Sequence, residues 1–327
     1  MTLASALNGL LVLILLVSLL TTCGLAFFTW HTAGKVRAAL PPQGRFIQIG
    51  AESLHVLEQG TGPSLLLIHG LGGQMRHYTY GVAERLARQY RVITIDRPGS
   101  GYSVRSAATP ANLSTQAATI ASLMDTLKLG PVFVVGHSLG GAIALCLAVE
   151  HPHRVTGLAL LAPLTHLPAD GKPAAAFRAL TISTAWIRTL VAWTLAVPAS
   201  IAGRRAVLDQ VFGPDAVPRD FPTRGGGLLS LLPSQFISAS RDLQAVQASM
   251  PPISARYGEL SMPVRVLFGR DDRILDWKAN GQTFVDKVTG AELVLVDGGH
   301  MLPVVQPELT AAFILETMAI SARSENL

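Results

Sequence analysis

The sequence predicts an α/β protein: a mostly parallel sheet with flanking helices, interrupted by a helical insertion and preceded by an apolar amino-terminal segment. Three observations carry this expectation. Short apolar runs of strand length recur at 64–68, 91–96, 132–135, 155–161, 264–268 and 292–296, separated by helical patterns or turns. The strand pattern is missing between 161 and 264, where a separate helical body fits. Residues 3–30 contain no charged side chain.

That first segment accounts for part of an unusual composition, 49% hydrophobic over 327 residues. The length suits one α/β domain with an insertion and a targeting segment. About 20 apolar residues cross a hydrocarbon core of roughly 30 Å, and residues 10–20 are aliphatic apart from Ser18. Residues 1–31 are therefore expected to form one transmembrane helix with Trp30 at the interface, and 32–44, containing Gly34 and Pro41-Pro42, a linker. Lys35, Arg37 and Arg45 follow the apolar stretch and nothing basic precedes it, which places the catalytic domain on the cytoplasmic side of a single-pass anchor. The alternative is a cleaved signal peptide and an exported enzyme, although such a peptide wants basic residues before the apolar run. Leu20-Thr21-Thr22-Cys23 is a poor lipoprotein signal, and Cys23 with Cys146 makes no disulfide framework. A net charge of +5 favours an anionic membrane surface, while the absence of a lysine or arginine run argues against nucleic acid.

In chain order, residues 45–49 and 54–58 alternate around a turn as a β-hairpin, with His55 on a strand face. The run 64–68 empties into His69-Gly70-Leu71-Gly72-Gly73, a loop whose glycines let a backbone N–H be aimed at a developing negative charge. No P-loop or dinucleotide fingerprint accompanies these glycines. A helix over 74–89 leads to the strand 91–96 and the turn Asp96-Arg97-Pro98-Gly99-Ser100-Gly101-Tyr102-Ser103; a second helix spans 112–128. Then comes the centre of the chain: a β-branched run, Gly136-His137-Ser138-Leu139-Gly140, and small apolar residues stopped by Pro152, which together make strand, sharp turn, helix.

Gly136-His137-Ser138-Leu139-Gly140 in that context resembles the nucleophile elbow of the α/β-hydrolase superfamily, in its lidded serine esterase or lipase-like branch. The resemblance covers roughly 45–319, the insertion by analogy only. It implies a mostly parallel eight-stranded sheet built from 45–162 and 261–327, with a helical cap over 163–260. It implies Ser138 as nucleophile, and an oxyanion hole from the N–H groups of Leu71 and Leu139, with His69, Gly70 and Gly72 as the supporting loop. Asp96 to Ser103 matches an architectural turn of the family. Val264-Arg265-Val266-Leu267-Phe268-Gly269-Arg270-Asp271-Asp272 places the acid on Asp272, with Asp271 as its neighbouring alternative, and Asp297-Gly298-Gly299-His300 delivers the histidine. The order Ser138, Asp272, His300 is that of the superfamily.

In the insertion, 174–197 is strongly apolar but interrupted by Arg178 and Arg188, which with Pro198 argues against a second span. It suits a cap helix facing lipid or an acyl chain, or an ordinary packed one. The expected activity is hydrolysis of carboxylic esters of lipid-like or other apolar acyl groups through an acyl-enzyme, without cofactor or metal, on a small apolar ester with membrane lipid as a further partner. A cofactor-free haloperoxidase or perhydrolase and a carbon–carbon bond hydrolase share the same residues, and a ligand-binding receptor is the non-enzymatic alternative. A serine at the elbow argues against the epoxide hydrolase and haloalkane dehalogenase branches, which use aspartate there.

Overall fold

The structure is a computed structural model and describes residues 3–324. It opens with α1 (Leu3–Ala39), a single helix of 37 residues, long and apolar enough to cross a membrane, with none of its most apolar window buried against the protein. At 1.5 Å per residue it is about 55 Å long, nearly twice a hydrocarbon core. Its remaining turns are accounted for by Thr29, Ala33, Val36 and Leu40, spaced to fall on one helix face and buried. Ala33, Val36 and Leu40 pack on Leu229 and Leu232 of the insertion. The stretch expected to be a linker over 32–44 is therefore corrected: up to Ala39 it is helix, because this apolar face has a partner to bury against.

The sheet has eight strands: β1 (Arg45–Ile49), β2 (Glu52–Gln59), β3 (Ser64–Ile68), β4 (Arg91–Ile95), β5 (Val132–His137), β6 (Val155–Leu161), β7 (Val264–Gly269) and β8 (Glu292–Val296), in the order β1-β2-β4-β3-β5-β6-β7-β8. β1 and β2 form the hairpin and join antiparallel to β4; all other pairings are parallel. β5 is buried along its whole length, which is why it is continuously apolar rather than alternating. Two apolar cores form, one on each face of the sheet.

The expected helix over 74–89 is two short helices, α2 (Arg76–Thr79) and α3 (Val82–Leu86), parted at Gly81. α4 (Leu113–Thr126) is capped by Asn112, whose side chain accepts the N–H of Thr115 at 2.7 Å. α5 (Leu139–Glu150) lies under the sheet with Leu139 through Val149 all buried, so it is apolar on every side. Between β6 and β7 the chain leaves the sheet and builds the cap from α6 (Ala185–Trp193), α7 (Ala196–Phe212) and α8 (Pro233–Ser254), joined by turns. α6 and α7 meet at 75°. The helix Pro307–Ser324 closes the chain against the second core.

Candidate active site

In a parallel sheet the loops after the strands' carboxyl ends converge on one edge, and every candidate residue sits there. Ser138 follows β5 with φ +53° and ψ −122°, a conformation costing a non-glycine residue about 1–3 kcal/mol. The surroundings impose it. The Ser138 N–H donates to Leu161 O at 3.0 Å, and its carbonyl accepts from Gly141 N at 2.9 Å and Leu164 N at 3.0 Å. A Cβ on Gly140 would collide with the carbonyls of Ile68 and His69, and one on Gly70 would lie 2.8 Å from Ser138 Cβ. Glycine at both places lets β3, its loop and the elbow meet.

The loop after β3 is held from behind. His69 Nε2 accepts the N–H of Arg97 at 3.0 Å, so Nδ1 carries the proton and donates to Gly70 O at 2.9 Å. Burial first, then the Arg97 charge, pushes the His69 pKa well below its usual range, consistent with that neutral tautomer. Arg97 donates from Nε to His69 O at 2.9 Å and from Nη2 to Gly70 O at 3.0 Å. Leu71 and Leu139 line the same cavity as Ser138. Gly72 takes φ +63° and Gly73 N closes the loop on Gly70 O at 3.2 Å.

Asp272 and His300 meet from the loops after β7 and β8. Asp272 Oδ2 accepts from His300 Nδ1 at 2.7 Å. Its Oδ1 is pinned by the N–H groups of Ile274 at 2.8 Å and Leu275 at 3.0 Å. The Asp272 side chain is fully buried, whereas Asp271 is exposed. Two further groups fix the histidine's backbone: His137 Nε2 donates to His300 O at 3.0 Å, and the cap carboxylate Asp215 accepts from Gly299 N at 2.8 Å. Among the described residues His300 pairs with Asp272 and no hydrogen bond joins it to Ser138 Oγ.

The cavity at Ser138 is small, about 70 Å³, and apolar, with Leu164, Phe177, Leu243, Val246 and Ile274 among its walls. Among the described residues no group of three His, Cys, Asp or Glu is placed to hold a metal ion.

Four contributors escaped the sequence reading. Arg97 bridges the loop to the cap through Asp242 Oδ2, 2.9 Å from its Nη1. Asp215 reaches the His300 turn from the cap. His137, quoted only as part of the elbow, supports the His300 backbone. His77 lies against Gly73 with its Nδ1 enclosed and unpartnered; burial, then the His300 charge, brings its pKa down to about 4. His137 and His77 belong to recognisable stretches, but nothing in the sequence signals the Asp242 and Asp215 contacts.

Residues 63–224, which contain the loop after β3 and the elbow, match the family described as alpha/beta hydrolase fold. The chain has the α/β-hydrolase fold. It is 39% identical over 134 residues to a dihydrolipoyllysine-residue acetyltransferase component of an acetoin cleaving system from Cupriavidus necator, covering 40% of this chain and 34% of that one. It is 32% identical over 120 residues to a 2-hydroxy-6-oxo-2,4-heptadienoate hydrolase from Pseudomonas putida, covering 36% of this chain and 44% of that enzyme. The chain thus spans less than half the length of the first curated relatives it matches. A solved membrane phospholipase A, described as a bacterial virulence factor, shares the fold with TM-score 0.62 at 22% identity, over 98% of this chain and 99% of that one.

Proposed function

We propose that the protein is a serine hydrolase cleaving carboxylic esters of apolar acyl groups, held at a membrane by α1. The observation that carries this reading is the Asp272–His300 pair, 2.7 Å apart, on the same sheet edge as a strained elbow serine that opens into an apolar cavity. His300 takes the Ser138 proton as Oγ attacks the ester carbonyl, and the N–H groups of Leu71 and Leu139 receive the oxyanion. Asp272 keeps the His300 proton on Nδ1 and balances the imidazolium. His300 then protonates the leaving alcohol and activates the water that releases the acid.

The anchor reading is supported by the far end of α1. A signal cleavage within 29–34 would strip away part of the buried face that covers Leu229 and Leu232. On this reading the catalytic domain stands on the cytoplasmic side.

The name of the Pseudomonas putida relative favours carbon–carbon bond cleavage as the second reading. The test is turnover of p-nitrophenyl esters from acetate to palmitate, alongside a vinylogous β-diketone acid, with wild type and Ser138→Ala. Ser138-dependent ester turnover is expected; turnover of the diketone alone would replace the ester assignment. With a cavity of about 70 Å³ against the roughly 300–1,000 Å³ of ordinary ligand pockets, long acyl chains require the cap to shift, so acetate and butyrate should be turned over faster without membrane.

A further inference from the structure

α8 separates two cavities, the second richer in polar groups than the first. Leu243 and Val246 face the catalytic one; Ser234, Ser238 and Arg241 face a cleft of about 410 Å³ on the other flank, which Tyr102 and Arg105 also line and to which the last turn of α1 contributes Arg37. Asp242 lies between.

The cleft is short of negative charge. Asp242 is the one carboxylate in ion-pair contact with its guanidinium groups among the described residues, and it is shared: Oδ1 accepts from Arg105 at 2.6 Å and Oδ2 from Arg97 at 2.9 Å, all three side chains being buried. Arg105 spends Nη2 on Ser238 Oγ at 3.0 Å, and its Nε is enclosed without a partner. Arg241 donates only to carbonyls, those of Thr109 at 2.6 Å, Ala107 at 3.2 Å and Ser106 at 3.4 Å. Glu52 faces the group from β2, where Oε1 accepts from Ser106 N at 3.2 Å and Oε2 is enclosed without a partner, and Arg188 adds a further positive charge from α6. Burial, then the charges of Arg105 and Arg188, lowers the Arg241 pKa below the usual guanidinium value against the opposing pull of Asp242 and Glu52.

One carboxylate shared by two buried guanidinium groups leaves an excess of positive charge, and guanidinium forks beside hydroxyls match tetrahedral oxyanions in both shape and charge. We infer that the cleft between the end of α1 and α8 binds a phosphate group, either free or as a phospholipid headgroup. It is distinct from the proposed ester site, because Ser138 opens on the other side of α8.

The test uses full-length protein in uncharged detergent micelles. Thermal unfolding is followed while inorganic phosphate, or in a second arm dihexanoyl phosphatidic acid, is titrated against sodium chloride of equal ionic strength. A saturable rise in Tm is expected in at least one arm, and the arm that saturates at lower concentration names the source. Arg241→Gln should weaken apparent binding about tenfold, the worth of one hydrogen bond between charged groups. Ser138→Ala should bind as wild type does, which separates this site from the ester assignment. Arg37→Gln, at an exposed rim position, is the second variant should Arg241→Gln fail to fold. Equal Tm rises with chloride, or variants that bind like wild type, would overturn the inference.

Discussion

The sheet side of the cavity at Ser138 and its cap side are held by different means. On the sheet side, the Ser138 elbow is fixed by backbone hydrogen bonds from neighbouring loops and by close glycine contacts, while the His300 turn also leans on the cap through Asp215. The cap side reaches the core through side chains far apart in sequence: Arg97 to Asp242, Gln235 to Gly101, Gln74 to Gly225, Asp215 to Gly299. Backbone contacts survive most substitutions, whereas each cap contact depends on a particular side chain. The sheet side should therefore lose chemistry when altered and keep its fold, while the cap side should lose stability and chemistry together.

The largest effect expected is on the sheet side. Ser138→Ala should reduce kcat by on the order of a millionfold and abolish labelling by a fluorophosphonate, with the thermal midpoint nearly unchanged. Residual covalent labelling of that variant would remove Ser138 from its proposed role. Next is the acid. Asp272→Asn should cost roughly ten-thousandfold in kcat, because an amide cannot hold the His300 tautomer, while Asp271→Asn, at an exposed position, should change little. Equal losses in the two variants would break the distinction between them.

On the cap side, Asp242→Ala leaves Arg97 and Arg105 buried without their carboxylate, for an expected loss of about 3–5 kcal/mol in chemical denaturation. Because Arg97 also holds the His69 and Gly70 carbonyls, kcat should fall in the same variant more than KM rises. A variant with wild-type stability and reduced kcat would place Asp242 with the sheet side instead.

The smallest effect is pH dependence. His69, His77 and His137 are held below 6.5, chiefly by burial, so the unfolded chain takes up their protons before the folded one does. Their contribution to stability is complete above about 6.5 and is lost as pH falls below it, that of His77 as pH approaches about 4. The thermal midpoint should fall across that interval, and His77→Gln should make the fall shallower; an unchanged slope would show that His77 titrates alike in both states.

The same contrast governs how much was legible in the sequence. β5, the elbow and α5 are contiguous, so strand period, turn glycines and apolar helix could be read together at 132–150. The choice between Asp271 and Asp272 rested on a family pattern, and only the fold gives the physical difference, one carboxylate pinned by two N–H groups and the other in solvent. The Arg97–Asp242 pair joins residues 145 positions apart, and no local pattern marks either as a partner. The end of α1 is an intermediate case: the spacing of Thr29, Ala33, Val36 and Leu40 was visible, but Gly34 and Pro41-Pro42 argued for a linker until Leu229 and Leu232 supplied something to pack against.

That continuous helix is a stiff rod. On the proposed anchoring, about 30 Å of its roughly 55 Å lies in the bilayer, and the rest enters the cap without slack. A flexible tether would let the domain tumble; this one fixes its height and heading above the lipid. A change in bilayer thickness that tilts or draws on α1 is then delivered as a mechanical load to Leu229 and Leu232, one short turn before α8, the helix that walls both cavities.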